Sequence, residues 1–305
     1  MLASGPRITQ YLPNWLRLLR PHHWTKNLLL FAPALTSSLI LEHDILAAAL
    51  LGFVSFCCAA STGYVLNDLA DRDNDRDHPQ KRYRPIASGD ITATTSGGIG
   101  LACLALAAAT GLALNTKFSL LLLLYLLLTT LYSLFIKHLI YLDLIALVGL
   151  YLIRIAAGAA AVGVLVSTWL GWYAGALFLS LACMKRCGEL TALQKITAER
   201  VMGRAYTNRH LPRLLTIGMG AGLASVIVFG FYIADPATTE LYGSSGKLWG
   251  VFMVFGCWIT GLWISTYTGR MTYDPIVFVF SNFWSLLSLL TMLLLTLWAQ
   301  VSASL

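Results

Sequence analysis

Charge is scarce in this chain. Only 11% of its 305 residues are Asp, Glu, Lys or Arg, while 57% are hydrophobic, and such a balance cannot cover a globule with a polar surface in water. The solvent implied is lipid. Polar sequence is short as well: the longest stretches, about 67–90 and 185–213, leave no room for a separate soluble domain, so a single transmembrane domain over 1–305 is expected. Cysteine occurs six times but in no framework. Cys57, Cys58, Cys103, Cys183, Cys187 and Cys257 lie in or beside apolar runs, where a thiol behaves as a small hydrophobe. Cys183 and Cys187 stand one helical turn apart, yet no second Cys or His pair completes a zinc set. No small-residue cleavage motif follows the first apolar run, so that run is expected to stay as an anchor. Acidic residues number 14 against 21 Lys and Arg, for a net charge of +7. In a chain this apolar, the excess reports topology and anionic headgroups, and no nucleic-acid partner is expected.

What the chain has is apolar length. A membrane span needs about 20 apolar residues, and nine windows qualify: 24–41, 45–66, 94–114, 118–136, 140–163, 168–184, 213–233, 247–269 and 276–301. The first is short and carries Pro33. Before it, Trp15, Leu16, Leu18 and Leu19 alternate with Arg17 and Arg20, a pattern shared by a helix lying in the headgroup plane, about 9–20, and by an ordinary membrane-proximal lead-in. With the N-terminus inside, the inside segments hold 18 Lys and Arg, the outside segments hold only Lys117 and Lys247, and Arg154 falls within a span. The expected fold is therefore all-α and integral to the inner (cytoplasmic) membrane. It is a bundle of about nine transmembrane helices with the N-terminus cytoplasmic, the C-terminus outside and the loops at 67–90 and 185–213 facing the cytoplasm. Those loops follow spans 2 and 6, which suggests a duplicated four-helix unit at the level of topology.

The first loop concentrates the polar chemistry. Asp68, Asp71 and Asp75 continue the second span at i, i+3 and i+7, which on a helix places them within roughly 60° of one another. Three like charges on one face repel unless a cation lies between them. Oxygen-only ligation with room for phosphate suits Mg²⁺, with Asn67 beside the three carboxylates. Asp73 points the other way and is expected to be solvated or paired with Arg. Lys81, Arg82 and Arg84 follow, after Asp77, His78 and Pro79, and can grip phosphate oxygens that the metal leaves free. A solvated, self-paired cytoplasmic loop is the plainer alternative.

Lys26, Lys137, Lys185 and Arg186 fall at the cytoplasmic ends of spans 1, 4 and 6, where together they can serve a second anionic group and singly are topology residues. Glu189 is expected to orient Lys185 through an i, i+4 pair. Arg154 lies about 16 Å of helix beyond Asp143, near mid-membrane, where an arginine costs at least ~2.5–3.5 kcal/mol and must face the bundle interior.

These residues resemble a known family. Asn67-Asp68-x-x-Asp71-x-x-x-Asp75 is similar to the first aspartate motif of the UbiA-type intramembrane prenyltransferases. Further stretches resemble the decaprenyl-phosphate phosphoribosyltransferase branch: Arg20-Pro-x-x-Trp24-x-Lys26-Asn27, Asp77-His78-Pro79-x-Lys81-Arg82-x-Arg84-Pro85, Tyr132 with Lys137-His138 and Asp143, Tyr151-Leu-Ile-Arg154, and Lys185-Arg186-x-x-Glu189-Leu190. One departure from the wider family has a direction. The second aspartate motif expected after helix 6 is missing, with no Asp between residues 144 and 234, and Lys185 and Arg186 stand there instead.

The resemblance implies Mg²⁺-dependent transfer of phosphoribose from phosphoribosyl pyrophosphate to a polyprenyl phosphate. Pyrophosphate leaves, and the product lies on the way to lipid-linked arabinose for surface arabinan. The implied catalytic and metal set is Asp68, Asp71 and Asp75 with Asn67. The implied substrate contacts are Lys26, Tyr64, Asn67, Lys81, Arg82, Arg84, Tyr132, Lys137, Arg154, Lys185, Arg186 and Glu189, and a homo-oligomer is allowed. The alternatives are a prenyltransferase using a prenyl diphosphate donor, which the missing motif opposes, and a transporter lined by Arg154 and Asp143. No broken-helix pair in the sequence supports the transporter.

Overall fold

The computed structural model describes residues 12–37, 39–77, 81–194, 205–242, 245–271 and 274–301. His78 and Pro79 of the basic stretch, residues 9–11 of the interfacial segment and 195–204 of the second loop lie outside the described residues. The α-helices run in order as α1 (Asn14–Leu19), α2 (Ala32–Thr36), α3 (His43–Ala70), α4 (Arg72–Asp77), α5 (Ala93–Leu114), α6 (Thr116–Leu134), α7 (Leu142–Val162), α8 (Thr168–Gln194), α9 (Leu211–Ala234), α10 (Pro236–Tyr242), α11 (Leu248–Tyr267), α12 (Pro275–Ser281) and α13 (Phe283–Val301).

Seven of these are long and apolar enough to cross a membrane: α3, α5, α6, α7, α9, α11 and α13. Their bounds follow the sequence windows closely. Helix α8 has the length, at 27 residues, but Trp169, Trp172 and Tyr173 at one end and Lys185, Arg186 and Glu189 at the other dilute its hydropathy. The first window is not one α-helix. Pro21–Phe31 winds as a 3₁₀ helix, and α2 follows with Pro33 near its start. The last window is also divided: Asn282 leaves the helix (φ −99°, ψ 119°) between α12 and α13, and its side-chain oxygen accepts from the Ser285 amide at 3.1 Å, starting the new helix as an N-cap.

The described chain divides into two compact units, Met1–Ser133 with Ile153–Leu165, and Leu134–Leu152 with Val166–Leu305. In the first, α3 and α5 run antiparallel in close contact. Ser55 donates to the Ala107 carbonyl at 2.9 Å and Thr62 to the Gly100 carbonyl at 3.2 Å, while Val65 covers Gly100, where a side chain would crowd it. Small residues that let backbones approach are what helix packing in lipid uses.

The 3₁₀ run lies along α3 with the period of three that its winding dictates. Trp24 donates to Ser61 at 3.1 Å, Asn27 donates to the Cys57 sulfur at 3.3 Å, and Leu30 reaches Gly52. On α7, Gly158 meets the Leu30 backbone carbonyl so closely that a Cβ has no space. The second unit packs α8 on α9 and α11: Ser180 donates to the Gly218 carbonyl at 2.8 Å and accepts from Trp263 at 3.0 Å.

Candidate active site

Helix α3 ends at Ala70, and Asp71 (φ −91°, ψ 4°) joins it to α4. The Asp71 amide still bonds the Asn67 carbonyl at 2.9 Å and the Asp75 amide bonds the Asp71 carbonyl at 2.8 Å, so the helical pitch carries through the junction. As a result Asp68 and Asp75 are brought together. Both carboxylates are only 2% exposed and both accept from one nitrogen, Arg84 Nη1, at 3.0 and 2.5 Å. Asp68 also accepts from Arg20 at 2.6 Å, and Lys81 lies 3.7 Å from Asp75. Charges this buried survive only when paired and hydrogen-bonded, and Arg20 and Arg84 supply that.

Asp71 stands apart. It is half-buried and accepts from the Asn67 amide at 3.2 Å, while Ser133 donates to the Asn67 oxygen at 3.5 Å. Asp73 is exposed beside Arg76 (3.4 Å) and Arg72 (3.8 Å), as its phase on the helix predicts. Arg82 is not brought to the carboxylates: it is exposed, bonds the Tyr83 hydroxyl at 2.8 Å and stacks over that ring. Tyr64, one turn before Asp68, lies under the Arg20 guanidinium at 5.2 Å. Lys26 belongs to the same unit, on the 3₁₀ run. Tyr132 is half-buried near the end of α6.

Arg154 faces the interior, 6% exposed. Its Nε donates to Asn27 at 2.9 Å and its Nη2 to the Tyr125 hydroxyl at 3.1 Å, with the guanidinium 4.7 Å from the Tyr125 ring centre. These partners are all side chains.

Among the described residues no three His, Cys, Asp or Glu side chains stand close enough together to hold a metal ion. The donor chemistry nonetheless suits a hard divalent cation: two buried carboxylates offer oxygens to one positively charged atom. Arg84 and such a cation are alternatives for the same pair of oxygens.

The second unit corrects the reading of the loop after span 6. Arg186 is 1% exposed and does not offer itself to a ligand: its Nε donates to Asp143 at 2.7 Å, and its Nη1 donates to both oxygens of Glu189 at 2.8 and 2.7 Å. Glu189 therefore orients Arg186, not Lys185, because i, i+3 on α8 places Arg186 over it. Lys185 turns instead to Asp274 at 2.9 Å. Asp274 also caps α12, accepting from the Ile276 amide at 3.0 Å. The aspartates absent from 144–234 are thus supplied from positions 143 and 274, beside Glu189 of α8 itself. Tyr206 donates to Asp143 at 2.5 Å and accepts from the Tyr141 amide at 2.8 Å. Burial, then that bond to Asp143, push the Tyr206 hydroxyl above the usual tyrosine range. Lys137 sits half-buried on the 3₁₀ turn Ile136–His138.

Arg20, Asn27 and Tyr125 in the first unit, and Tyr206 and Asp274 in the second, bond the expected residues of their own unit without having been given a role. Arg20 and Asn27 stand in a stretch that carries the resemblance; Arg20, ahead of Pro21, and Asp274, ahead of Pro275, also carry the local signal of a chain reversal or helix start, and Tyr125 and Tyr206 carry none.

The model of the UbiA prenyltransferase family matches residues 28–187. An uncharacterized protein of Sinorhizobium fredii, y4nM, is 31% identical over 91% of this chain, which spans only 54% of that protein's length. The nodulation protein NoeC of Azorhizobium caulinodans is 32% identical over 89% of this chain and 88% of its own. The decaprenyl-phosphate phosphoribosyltransferase of Corynebacterium glutamicum is 30% identical over 73% of this chain and 69% of its own. In fold, the chain is similar to a UbiA homolog from Archaeoglobus fulgidus solved with GPP and Mg²⁺, with a TM-score of 0.68 over 96% of this chain and 100% of the other, at 20% identity.

Proposed function

This chain belongs to the UbiA prenyltransferase family and is a multi-pass membrane transferase, and from that premise we propose that it moves phosphoribose from phosphoribosyl pyrophosphate to a polyprenyl phosphate. The observation that carries the proposal is the meeting of buried Asp68 and Asp75 at one Arg84 nitrogen, with Arg20 and Lys81 alongside. That arrangement stores paired charge at the end of α3, ready to be exchanged for a diphosphate and its cation. The 30% identity to a decaprenyl-phosphate phosphoribosyltransferase, and the lack of Asp between 144 and 234, favour the phosphoribosyl donor over a prenyl diphosphate.

In this reading Asp68, Asp71 and Asp75, with Asn67, hold Mg²⁺, which when bound neutralises the leaving pyrophosphate. Arg84 and Lys81 turn to phosphate oxygens, and Arg82 assists from the exposed side. An oxygen of the polyprenyl phosphate forms the new bond to the anomeric carbon as the bond to pyrophosphate breaks. That oxygen is already ionised at neutral pH, so no general base is required, and catalysis rests on positioning and charge stabilisation. Lys26, Tyr64, Tyr132, Lys137 and Arg154 serve substrate binding. Lys185, steadied by Asp274, remains the second unit's candidate for an anionic group, with Arg186 and Glu189 behind it as a fixed pair.

The 3₁₀ run with α2, the seven long apolar helices and α8 make nine crossings in this proposal. The N-terminus and the active site face the cytoplasm and the polyprenyl tail enters from the bilayer. The product is the precursor of lipid-linked arabinose.

The test is incubation of purified protein with Mg²⁺, labelled phosphoribosyl pyrophosphate and a polyprenyl phosphate. Label entering the lipid phase, and failing to do so with EDTA, is the expected result. Transfer from a prenyl diphosphate instead replaces the proposal with an ordinary prenyltransferase.

A further inference from the structure

Beside the carboxylate pair lies a cavity of about 210 Å³ whose polar wall is made of Arg17, Arg20, His22, Asp68, Tyr83 and Arg84. Three arginines and one carboxylate line it. Arg20 and Arg84 are paired with Asp68, but each uses a single nitrogen to do so, leaving further donors with no bond among the described residues. Arg17 differs in kind. Its described partners are the Asn14 side-chain oxygen at 3.1 Å and the Tyr83 carbonyl at 2.9 Å, both neutral, so its charge is held in place without being neutralised. The two bonds fix the guanidinium plane between α1 and the turn that carries Arg84. A fixed fork of this kind recognises a tetrahedral oxyanion better than a mobile lysine does. The volume is about that of seven waters, which admits a phosphate and a few attached carbons but no polyprenyl tail.

We propose that this cavity seats a phosphate monoester, separate from the diphosphate held at Asp68, Asp71 and Asp75. The inference rests on the proposed reaction, both of whose substrates carry one such group: the sugar phosphate of the soluble donor and the headgroup of the lipid acceptor. Arg17 is then a specificity residue that reads the monoester, while Arg20 and Arg84 form the wall shared with the diphosphate site.

Binding of three probes to the full-length purified protein, in detergent with Mg²⁺, tests this: ribose 5-phosphate, farnesyl phosphate and inorganic pyrophosphate, each against wild type, Arg17→Gln and Arg17→Lys. The expected result is a loss of roughly tenfold in affinity for at least one monoester in Arg17→Gln, partial recovery in Arg17→Lys, and unchanged pyrophosphate binding. A loss confined to ribose 5-phosphate assigns the seat to the donor, and one confined to farnesyl phosphate assigns it to the acceptor. Unchanged affinity for both monoesters, or an equal loss for pyrophosphate, overturns the proposal. Wild type supplies a check that needs no folded variant: at least one of the two monoesters must bind together with pyrophosphate, and exclusion of both by pyrophosphate also overturns it. If the Arg17 effect appears but no label passes from phosphoribosyl pyrophosphate to lipid, the cavity stands and the reaction assigned above falls.

Discussion

Arg186 donates to Asp143 at 2.7 Å across 43 positions of sequence, and neither side chain reaches solvent. Removing Asp143 leaves buried Arg186 with its Glu189 pair but without this one, a loss of up to about 3–5 kcal/mol. Asp143→Ala is therefore expected to lower the unfolding midpoint sharply in detergent. The double variant Asp143→Leu, Arg186→Met is expected to lose much less than the two single losses together. Additive losses in a thermal-unfolding cycle would show that the pair is not coupled.

Asp71 and Asp75 should separate activity from stability. Asp75→Ala strips a buried partner from Arg84 and is expected to cost about 1–3 kcal/mol as well as turnover. Asp71→Ala loses only a bond from Asn67, so stability should hold within about 1 kcal/mol while turnover is abolished. Measured transfer at the wild-type rate in Asp71→Ala would remove that residue from the catalytic set.

Gly158→Ala offers a sign test. Alanine in a helix interior is ordinarily better than glycine by about 1 kcal/mol. At Gly158 the added methyl meets the Leu30 carbonyl, part of a backbone that cannot rotate away, and overpacking of that kind costs about 1–3 kcal/mol or more. A net loss is expected in the unfolding midpoint, and a gain would mean that the 3₁₀ run does not lie against α7.

Tyr206 sets an alkaline limit. Its hydroxyl is raised above the ordinary tyrosine value by burial and by Asp143, so the folded form holds a proton that the unfolded chain gives up near pH 10. The contribution is fully present below that pH and is lost as pH rises toward the folded value. Tyr206→Phe should make the fall in unfolding midpoint between pH 10 and 12 shallower than in wild type. An unaltered slope would place the loss elsewhere.

Much of this was legible in the sequence for a simple reason: lipid enforces long apolar helices, and hydropathy reports them. The bounds of α3, α5, α7, α9 and α11 lie close to their windows. The i, i+7 phase of Asp68 and Asp75 was legible because helical pitch passes through Asp71 with its hydrogen bonds kept. What sits between those carboxylates was not, since the basic stretch after them gives no register for Arg84, and Arg20 arrives from 48 positions away. Lys185 found Asp274 across 89 positions, a pairing that only tertiary structure can make. The 3₁₀ winding of Pro21–Phe31 was hidden too, because a run that ends in the unbroken apolar stretch 28–31 shows no single stripe from which a period can be read.

That winding sets a reach. At about 2.0 Å per residue the eleven residues of Pro21–Phe31 extend ~22 Å, against ~16 Å as an α-helix. The run acts as a stretched tether, carrying Asn27 down to Arg154 while Arg20 stays up at Asp68. Rewinding it as an α-helix would shorten the seven-residue step from Arg20 to Asn27 by ~3–4 Å, too much for one straight run to hold both anchors.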